Sequence, residues 1–235
     1  MEQIYTIPVN EAFDKSLESP ECGCPFCTLY KKLQNEYLEL ILGASMMEPD
    51  IRKKTNLSGF CSEHFNMMLG MKNRLGIALI LESHLDELRD DIGKKFLNLF
   101  PGENAKRRIN NLEKSCYVCE RIDFSLTKMF ETALLLYEKD SGFKNKFSEQ
   151  PYFCLPHFNK LITLAKAKMP KKLYGDFYDD ASKVVFTYFD TLRPDIKHFI
   201  KKFDYRYEDE PWGNSKDSIE RAIKFLCTDS QNDTK

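Results

Sequence analysis

Eight residues of the chain, six cysteines and two histidines, have the types and spacing of metal ligands. They form two Cys-x-x-Cys pairs and two Cys-x-x-His pairs: Cys24 with Cys27, Cys61 with His64, Cys116 with Cys119, and Cys154 with His157. A structural zinc site takes four thiolate or imidazole ligands in a tetrahedron. The residues therefore predict two structural zinc ions, each held by three cysteines and one histidine.

The ligand pairs recur in nearly constant register. The two Cys-x-x-Cys pairs lie 92 residues apart, and the two Cys-x-x-His pairs lie 93 residues apart in a shared Phe-Cys-x-x-His-Phe-Asn context. Metal ligation does not require the shared phenylalanines and asparagine, so an internal duplication explains them better. We expect each copy to complete its own site, with the ions bound by Cys24, Cys27, Cys61 and His64 and by Cys116, Cys119, Cys154 and His157.

Two alternatives to structural zinc remain, one with the same ligands and one with the additional thiol of Cys22. Three cysteines and one histidine can also hold an iron-sulfur cluster. Cys22 has Lys114 as its counterpart in the second copy, which favours a thiol outside the metal site. As an alternative, Cys22 would be the reactive thiol of a redox- or metal-responsive regulator, and its oxidation would release metal from the first site only.

Hydrophobic periodicity predicts an all-α fold. After Cys27 the apolar residues recur at helical spacing until Gly43, and a long stripe from Leu81 to Leu99 steps by three and four residues. Each ligand pair is spaced i, i+3 and falls at the start of a helix, so its two side chains can face one point. We therefore expect each ion to join the N-terminal ends of two helices, where free N–H groups stabilise thiolates.

Helix-breaking residues and polar stretches set the remaining boundaries. The first residues, to about Asn10, are expected to form an extended arm before a short helix. A short polar linker is expected from Asp140 to Pro151, with a break at Pro170 and another interruption at Pro194. The predicted domains are an arm and short helix at 1–21, a first zinc-binding repeat at 22–102, a second at 103–203, and an aromatic and acidic loop, final helix and frayed tail at 204–235.

Composition narrows the classes of function. The chain has 35 Lys and Arg against 36 Asp and Glu, so it has no strong nucleic-acid signal. It shows no secretory signal, and its longest apolar run, Ile77 to Leu81, is far too short for a membrane span. These features favour a cytoplasmic protein without a membrane segment.

The ligand set favours a binding or regulatory protein over an enzyme. Two closed sites would use all eight ligands and leave no metal position open to substrate. We expect a protein partner, and the segment from Tyr205 to Trp212 is the best candidate contact surface because Trp and Tyr are enriched at interfaces. The alternative is that this segment packs its aromatic rings onto its own core.

Four stretches carry a resemblance to a known family. They are Cys22-Gly23-Cys24-Pro25-Phe26-Cys27, the Gly-Phe-Cys-x-x-His-Phe context, Glu82-Ser83-His84-Leu85, and the tail from Glu210 to Ser215. Together they resemble an uncharacterised family of clostridial and related bacterial proteins with paired Cys-x-x-Cys and Cys-x-x-His motifs. The resemblance covers nearly the whole chain and implies a bacterial cytoplasmic protein. It implies no catalytic residues.

Overall fold

Helices account for the regular structure of the protein. The computed structural model describes residues 3–93 and 102–228, and no strand occurs in these two ranges, which confirms the all-α prediction. The α-helices are α1 Thr6–Glu18, α2 Pro25–Leu42, α3 Pro49–Ser58, α4 Ser62–Gly70, α5 Arg74–Gly93, α6 Glu103–Lys114, α7 Tyr117–Lys139, α8 Ser141–Ser148, α9 Leu155–Lys168, α10 Lys171–Lys201 and α11 Ser218–Cys227. None of the helices described is both long enough and apolar enough to cross a membrane.

The chain divides into two compact units. The first comprises Met1–Lys31 and Leu126–Lys235, and the second comprises Lys32–Ser125. Each unit therefore contains segments from both predicted repeats. The repeat boundaries at 22–102 and 103–203 concern similarity of sequence and stay a prediction.

Aromatic side chains build the core of the first unit. Phe26 of α2 stacks on Phe130 of α7 with ring centroids 3.9 Å apart, and Phe13 of α1 meets Phe26 edge-on at 5.5 Å. Phe153, just before α9, is fully buried and lies 6.1 Å from Phe26. Packed rings of this kind contribute roughly 1 kcal/mol per pair beyond the area that they bury. The core thus fixes the start of α2 beside the start of α9.

Three expectations for the first unit are corrected. The predicted extended arm is wrong, because α1 already begins at Thr6 and buries Val9. The predicted polar linker contains helix α8, whose N-cap Asp140 accepts hydrogen bonds from the backbone N–H groups of Gly142 and Phe143. Helix α10 continues through Pro194 without the predicted interruption, although it does begin after Pro170.

Burial of apolar residues explains two of these differences. In α8, Phe143 and Phe147 are 1% and 0% exposed, so the core stabilises a helix that its polar residues do not suggest. In α10, Leu192 packs in the core before Pro194 and Phe199 contacts Trp212 after it. Contacts on both sides of Pro194 offset the loss of the backbone hydrogen bond that the proline cannot form.

Side chains of α3 organise the second unit. Asn56 of α3 donates to the Glu87 carboxylate of α5 at 2.8 Å. Helix α6, which the periodicity does not indicate, is attached through Arg108, which donates to the carbonyl of Asn56 at 2.8 Å and pairs with Asp91 at 3.1 Å. Helix α5 accounts for the apolar stripe up to Gly93, and the rest of that stripe, to Leu99, lies outside the described residues.

Candidate metal centres

All four ligand pairs lie at helix N-termini, with the first residue just before the helix and the second in its third position. Cys61 is the N-cap of α4 and Cys154 is the N-cap of α9. The carbonyl of Cys24 accepts from the N–H of Cys27 at 2.9 Å as α2 begins, and the carbonyl of Cys116 accepts from the N–H of Glu120 at 3.0 Å as α7 begins. The local part of the prediction is confirmed, because each pair projects two ligand atoms from one helix start.

The structure joins these pairs in a crossed arrangement. The first centre consists of Cys24, Cys27, Cys154 and His157, and the second of Cys61, His64, Cys116 and Cys119. Within each centre all ligand atoms lie within 4.8 Å of one another. The predicted pairing within each copy is therefore corrected, since each Cys-x-x-Cys pair meets the Cys-x-x-His pair of the other copy.

The first centre has the dimensions of a site for one tetrahedral ion. Nδ1 of His157 lies 3.6, 3.5 and 3.1 Å from the sulfurs of Cys24, Cys27 and Cys154. The sulfurs of Cys27 and Cys154 are 3.6 Å apart. Zinc bonds of about 2.3 Å to sulfur and about 2.0 Å to nitrogen place tetrahedral ligands roughly 3.5 to 3.8 Å apart. The four side chains therefore fit zinc with only small adjustments.

Burial controls the charge state of the first centre. Desolvation lowers the pKa of His157 to about 4, so its imidazole is neutral near pH 7 and can offer a lone pair. Burial also raises the pKa of the Cys24 thiol, because a lone thiolate there would lack solvent. A bound cation would reverse that penalty by supplying the opposite charge.

A glycine allows an aromatic residue to approach the first centre. Gly23, directly before Cys24, has φ +73°, and a Cβ atom there would lie 2.5 Å from the hydroxyl oxygen of Tyr152. Tyr152 in turn stacks on Tyr188 with centroids 4.2 Å apart. Glycine at position 23 thus brings the segment before α2 against the segment before α9, and these segments carry two of the four ligands, Cys24 and Cys154.

The second centre has similar distances. Nδ1 of His64 lies 3.1, 3.3 and 3.5 Å from the sulfurs of Cys61, Cys116 and Cys119. The sulfurs of Cys61 and Cys119 are 3.9 Å apart. The hydrogen bond with Cys119 lowers the pKa of Cys116 to about 3, while the hydrogen bond with Cys116 raises the pKa of Cys119. The cluster thus favours a shared negative charge, which suits a cation.

Polar contacts position the helix starts of the second centre. The hydroxyl of Ser115 donates to the carbonyl of Ser58 at 2.8 Å, and the N–H of Tyr117 donates to the carbonyl of Gly59 at 3.0 Å. These bonds tie the segment before Cys61 to the segment around Cys116. Both bonds involve residues that carry no metal-ligand signal, so sequence reasoning missed them.

Gln34 is a second feature that the sequence did not indicate. Its side-chain nitrogen lies 3.2 Å from Nε2 of His64, on the opposite side of the ring from the sulfurs, and the side chain is 4% exposed. An amide offers both a donor and an acceptor, so Gln34 can pair with Nε2 in either protonation state after a half-turn of its amide group. The only available signal was a polar residue on the mainly apolar face of α2.

The remaining candidate residues do not join either centre. Cys22 is half-buried and Cys227 is exposed, and neither belongs to a ligand cluster. His84 Nδ1 lies 3.0 Å from the carbonyl oxygen of Asn56, and His198 Nε2 lies 2.9 Å from the carbonyl oxygen of Pro211. Cys22 thus lies outside both clusters, as its lack of a cysteine counterpart in the second copy predicts.

Comparison with known proteins supports family membership and leaves the biochemical role open. No curated protein and no solved structure matches the chain. A family model described as a family of unknown function, DUF6062, matches residues 1–233. That match agrees with the expected likeness to an uncharacterised family, while the clostridial origin remains an expectation. The chain, with its two Cys3His clusters at paired helix starts, belongs to the family of unknown function DUF6062.

Proposed function

We propose that this protein binds two structural zinc ions and acts as a binding or regulatory module. The observation that carries the proposal is the pair of Cys3His clusters, each with all ligand atoms within 4.8 Å. Zinc in structural sites takes this kind of ligand set in tetrahedral geometry. Each ion would hold two helix N-termini together, α2 with α9 and α4 with α7.

The ligand spacing supports a single ion over an iron-sulfur cluster in each centre. In a cluster the four ligands are divided among two or more iron atoms, so ligand atoms on different irons lie farther apart than the ligands of one ion. Here all four ligand atoms of each centre lie within 4.8 Å of one another, with 3.6 Å between the sulfurs of Cys27 and Cys154 and 3.9 Å between those of Cys61 and Cys119. Both sulfur separations are close to the roughly 3.8 Å expected between two sulfurs on one zinc ion. The iron-sulfur alternative therefore ranks second.

The completeness of each ligand set supports a role other than catalysis. Catalytic zinc sites keep one position for water or substrate, whereas structural sites have four protein ligands. Both clusters offer four. None of the eight cysteines forms a disulfide, which is compatible with a reducing compartment such as the cytoplasm.

A protein partner is part of the same proposal. Its support is the exposure of Phe203 and Tyr205, at 76% and 84%, in the segment leading to Trp212. Trp212 itself contacts Phe199 with centroids 5.5 Å apart, so one end of the aromatic segment packs on the protein. The exposed rings would remain available for a partner.

Metal analysis of the purified protein tests the proposal. We expect two zinc ions per chain by mass spectrometry, with no visible absorption after anaerobic purification. Removal of zinc by a strong chelator should reduce helicity, because each structural site can contribute on the order of 10 kcal/mol to folding. A brown protein containing iron and sulfide would favour the cluster. A protein that is stable when purified without metal would contradict both the zinc proposal and the iron-sulfur alternative.

A further inference from the structure

The two centres differ in how far their cysteine residues are exposed to solvent. None of the three cysteines of the first centre exposes more than 3% of its surface. In the second centre Cys116 is 5% exposed, but Cys61 is only partly buried and Cys119 is exposed. A dissolved oxidant can therefore approach two cysteine residues of the second centre, whereas the three cysteines of the first centre are covered.

The sulfur atoms of Cys61 and Cys119 are also close to each other. The Sγ atoms of Cys61 and Cys119 are 3.9 Å apart, and a disulfide bond requires about 2.05 Å, so they must approach by roughly 1.9 Å. Cys27 and Cys154 of the first centre are equally close, at 3.6 Å. Access to solvent, rather than proximity, distinguishes the two centres.

We propose that the second centre is an oxidation site, at which a hydroperoxide converts Cys61 and Cys119 to a disulfide and causes loss of the bound metal. The first centre keeps its metal under the same conditions. This inference rests on the proposed function, because both centres must hold metal before oxidation.

The chemistry balances with a hydroperoxide as the only oxidant. The thiolate of Cys119 attacks the terminal oxygen of the hydroperoxide, forming an S–O bond and breaking the O–O bond, and the leaving alkoxide takes a proton. The thiolate of Cys61 then attacks the sulfur of Cys119, forming the disulfide and expelling hydroxide, which takes a second proton. Two thiolates lose two electrons in total, and the hydroperoxide is reduced to an alcohol and water.

Loss of metal follows from the loss of ligands. A disulfide sulfur is a much poorer ligand than a thiolate, since metal binding requires the deprotonated thiol. Only His64 and Cys116 would remain of the four ligands. Two ligands do not complete the tetrahedral set of a structural zinc site.

Sensitivity to oxidation is thus assigned to the second centre, whereas the Cys22 hypothesis assigns it to the first centre. That hypothesis expected oxidation of Cys22 to release metal from the centre beside it. Cys22 is half-buried and outside the ligand clusters, and its neighbour Cys24 is fully buried. Replacement of Cys22 should accordingly leave the oxidation response unchanged.

Peroxide titration of the zinc-loaded full chain tests the inference. Released zinc is measured with a chromogenic chelator, and disulfides are mapped by peptide mass spectrometry. We expect one of the two ions to leave on the order of tenfold faster than the other, together with a peptide cross-linked between Cys61 and Cys119. The exposed thiol of Cys227 serves as an internal reference for oxidation.

Matched variants separate the possible results. Cys22→Ser combined with Cys227→Ser should retain the selective release, whereas Cys119→Ser should abolish the cross-link and leave the first centre loaded. Oxidation of Cys227 with both ions retained, or release of both ions at one rate, would overturn this inference alone. A protein that carries no metal before peroxide is added would instead overturn the proposed function, and this inference with it.

Discussion

Nδ1 of His157 lies 3.5 Å from Sγ of Cys27, although 130 residues separate them along the chain. The contact joins a Cys-x-x-Cys pair of one copy to the Cys-x-x-His pair of the other. In the second centre Cys116 lies 3.3 Å from Nδ1 of His64 in the same crossed sense. Metal binding at either centre is therefore coupled to long-range folding of the chain.

Double substitutions should distinguish crossed pairing from pairing within each copy. Cys24→Ala with Cys154→Ala removes two ligands of one centre, so this variant should keep one zinc per chain. Cys24→Ala with Cys61→Ala removes one ligand from each centre, so it should keep neither ion after dialysis against a weak chelator. Metal content per chain is the measurement, and the single variants are the controls. The reverse result would show that each copy completes its own site.

Gln34 should strengthen metal binding at the second centre. When Nδ1 of His64 binds metal, Nε2 carries the proton and the Gln34 amide can accept it. Gln34→Leu introduces the residue found at the corresponding position of the second copy, Leu126. We expect zinc affinity at the second centre to fall by about tenfold or more, because groups that orient a ligand histidine have effects of this size.

Competition with a chelator of known affinity measures this effect. The first centre of the same molecule is the internal control, because Gln34 contacts His64, which belongs to the second centre. Gln34→Glu retains an acceptor for the Nε2 proton and should lose less affinity than Gln34→Leu. Equal affinities in all three proteins would show that Gln34 does not act through His64.

Stability should fall as the pH is lowered through the range set by His157. Burial lowers its pKa from 6.5 to about 4, so the unfolded chain binds a proton between these values and the folded protein does not. Without metal, the contribution of His157 to the free energy of unfolding, about 3 kcal/mol, is fully present above about pH 6.5 and is lost toward pH 4. Metal binding at Nδ1 of His157 makes stability depend on pH in the same direction, because a metal ligand must also be a neutral imidazole.

Denaturant unfolding at a series of pH values, with zinc held constant, checks this prediction. His157→Gln should be less stable at pH 7 and should show a flatter decline between pH 6.5 and 4. The difference between the two proteins isolates the contribution of His157 from that of the carboxylates. If stability declined with pH equally in both proteins, His157 would not be the group responsible for this pH dependence.

Lys202 should hold the aromatic loop that follows α10. Its Nζ donates to the carbonyls of Tyr207 and Glu210 at 2.9 and 2.6 Å, and lies 5.5 Å from the ring centroid of Trp212. Lys202→Met should leave these carbonyls without their donor and cost about 1 to 3 kcal/mol of local stability. Since Trp212 is the single tryptophan, its fluorescence should shift to the red and become easier to quench.

An exposed lysine of the same helix provides the control for this variant. Lys197→Met removes one positive charge from α10 at a solvent-facing position and should leave the fluorescence unchanged. Similar spectra for both variants would show that Lys202 does not order the loop.

Much of each metal centre could be predicted from the sequence, because ligand chemistry and helix-start geometry are local properties. Thiol and imidazole groups bind zinc by virtue of their type, and an i, i+3 pair faces one point wherever its helix lies. All eight predicted ligands lie in the two clusters. The repeated register likewise indicated two centres, while the outcome for Cys22 followed from its lack of a counterpart.

The amino-acid sequence by itself thus determined the ligands, their number and the all-α class, and the tertiary structure decided which pairs meet. Helix lengths give the physical reason. The 18 residues of α2 span about 27 Å, of which about 22 Å lie beyond Cys27, while the 10 residues of α3 can return the chain by only about 15 Å. A Cys-x-x-His pair therefore cannot easily return to its own Cys-x-x-Cys partner. The difference in exposure between Cys119, which is exposed, and Cys24, which is buried, likewise arises only from packing of the folded chain.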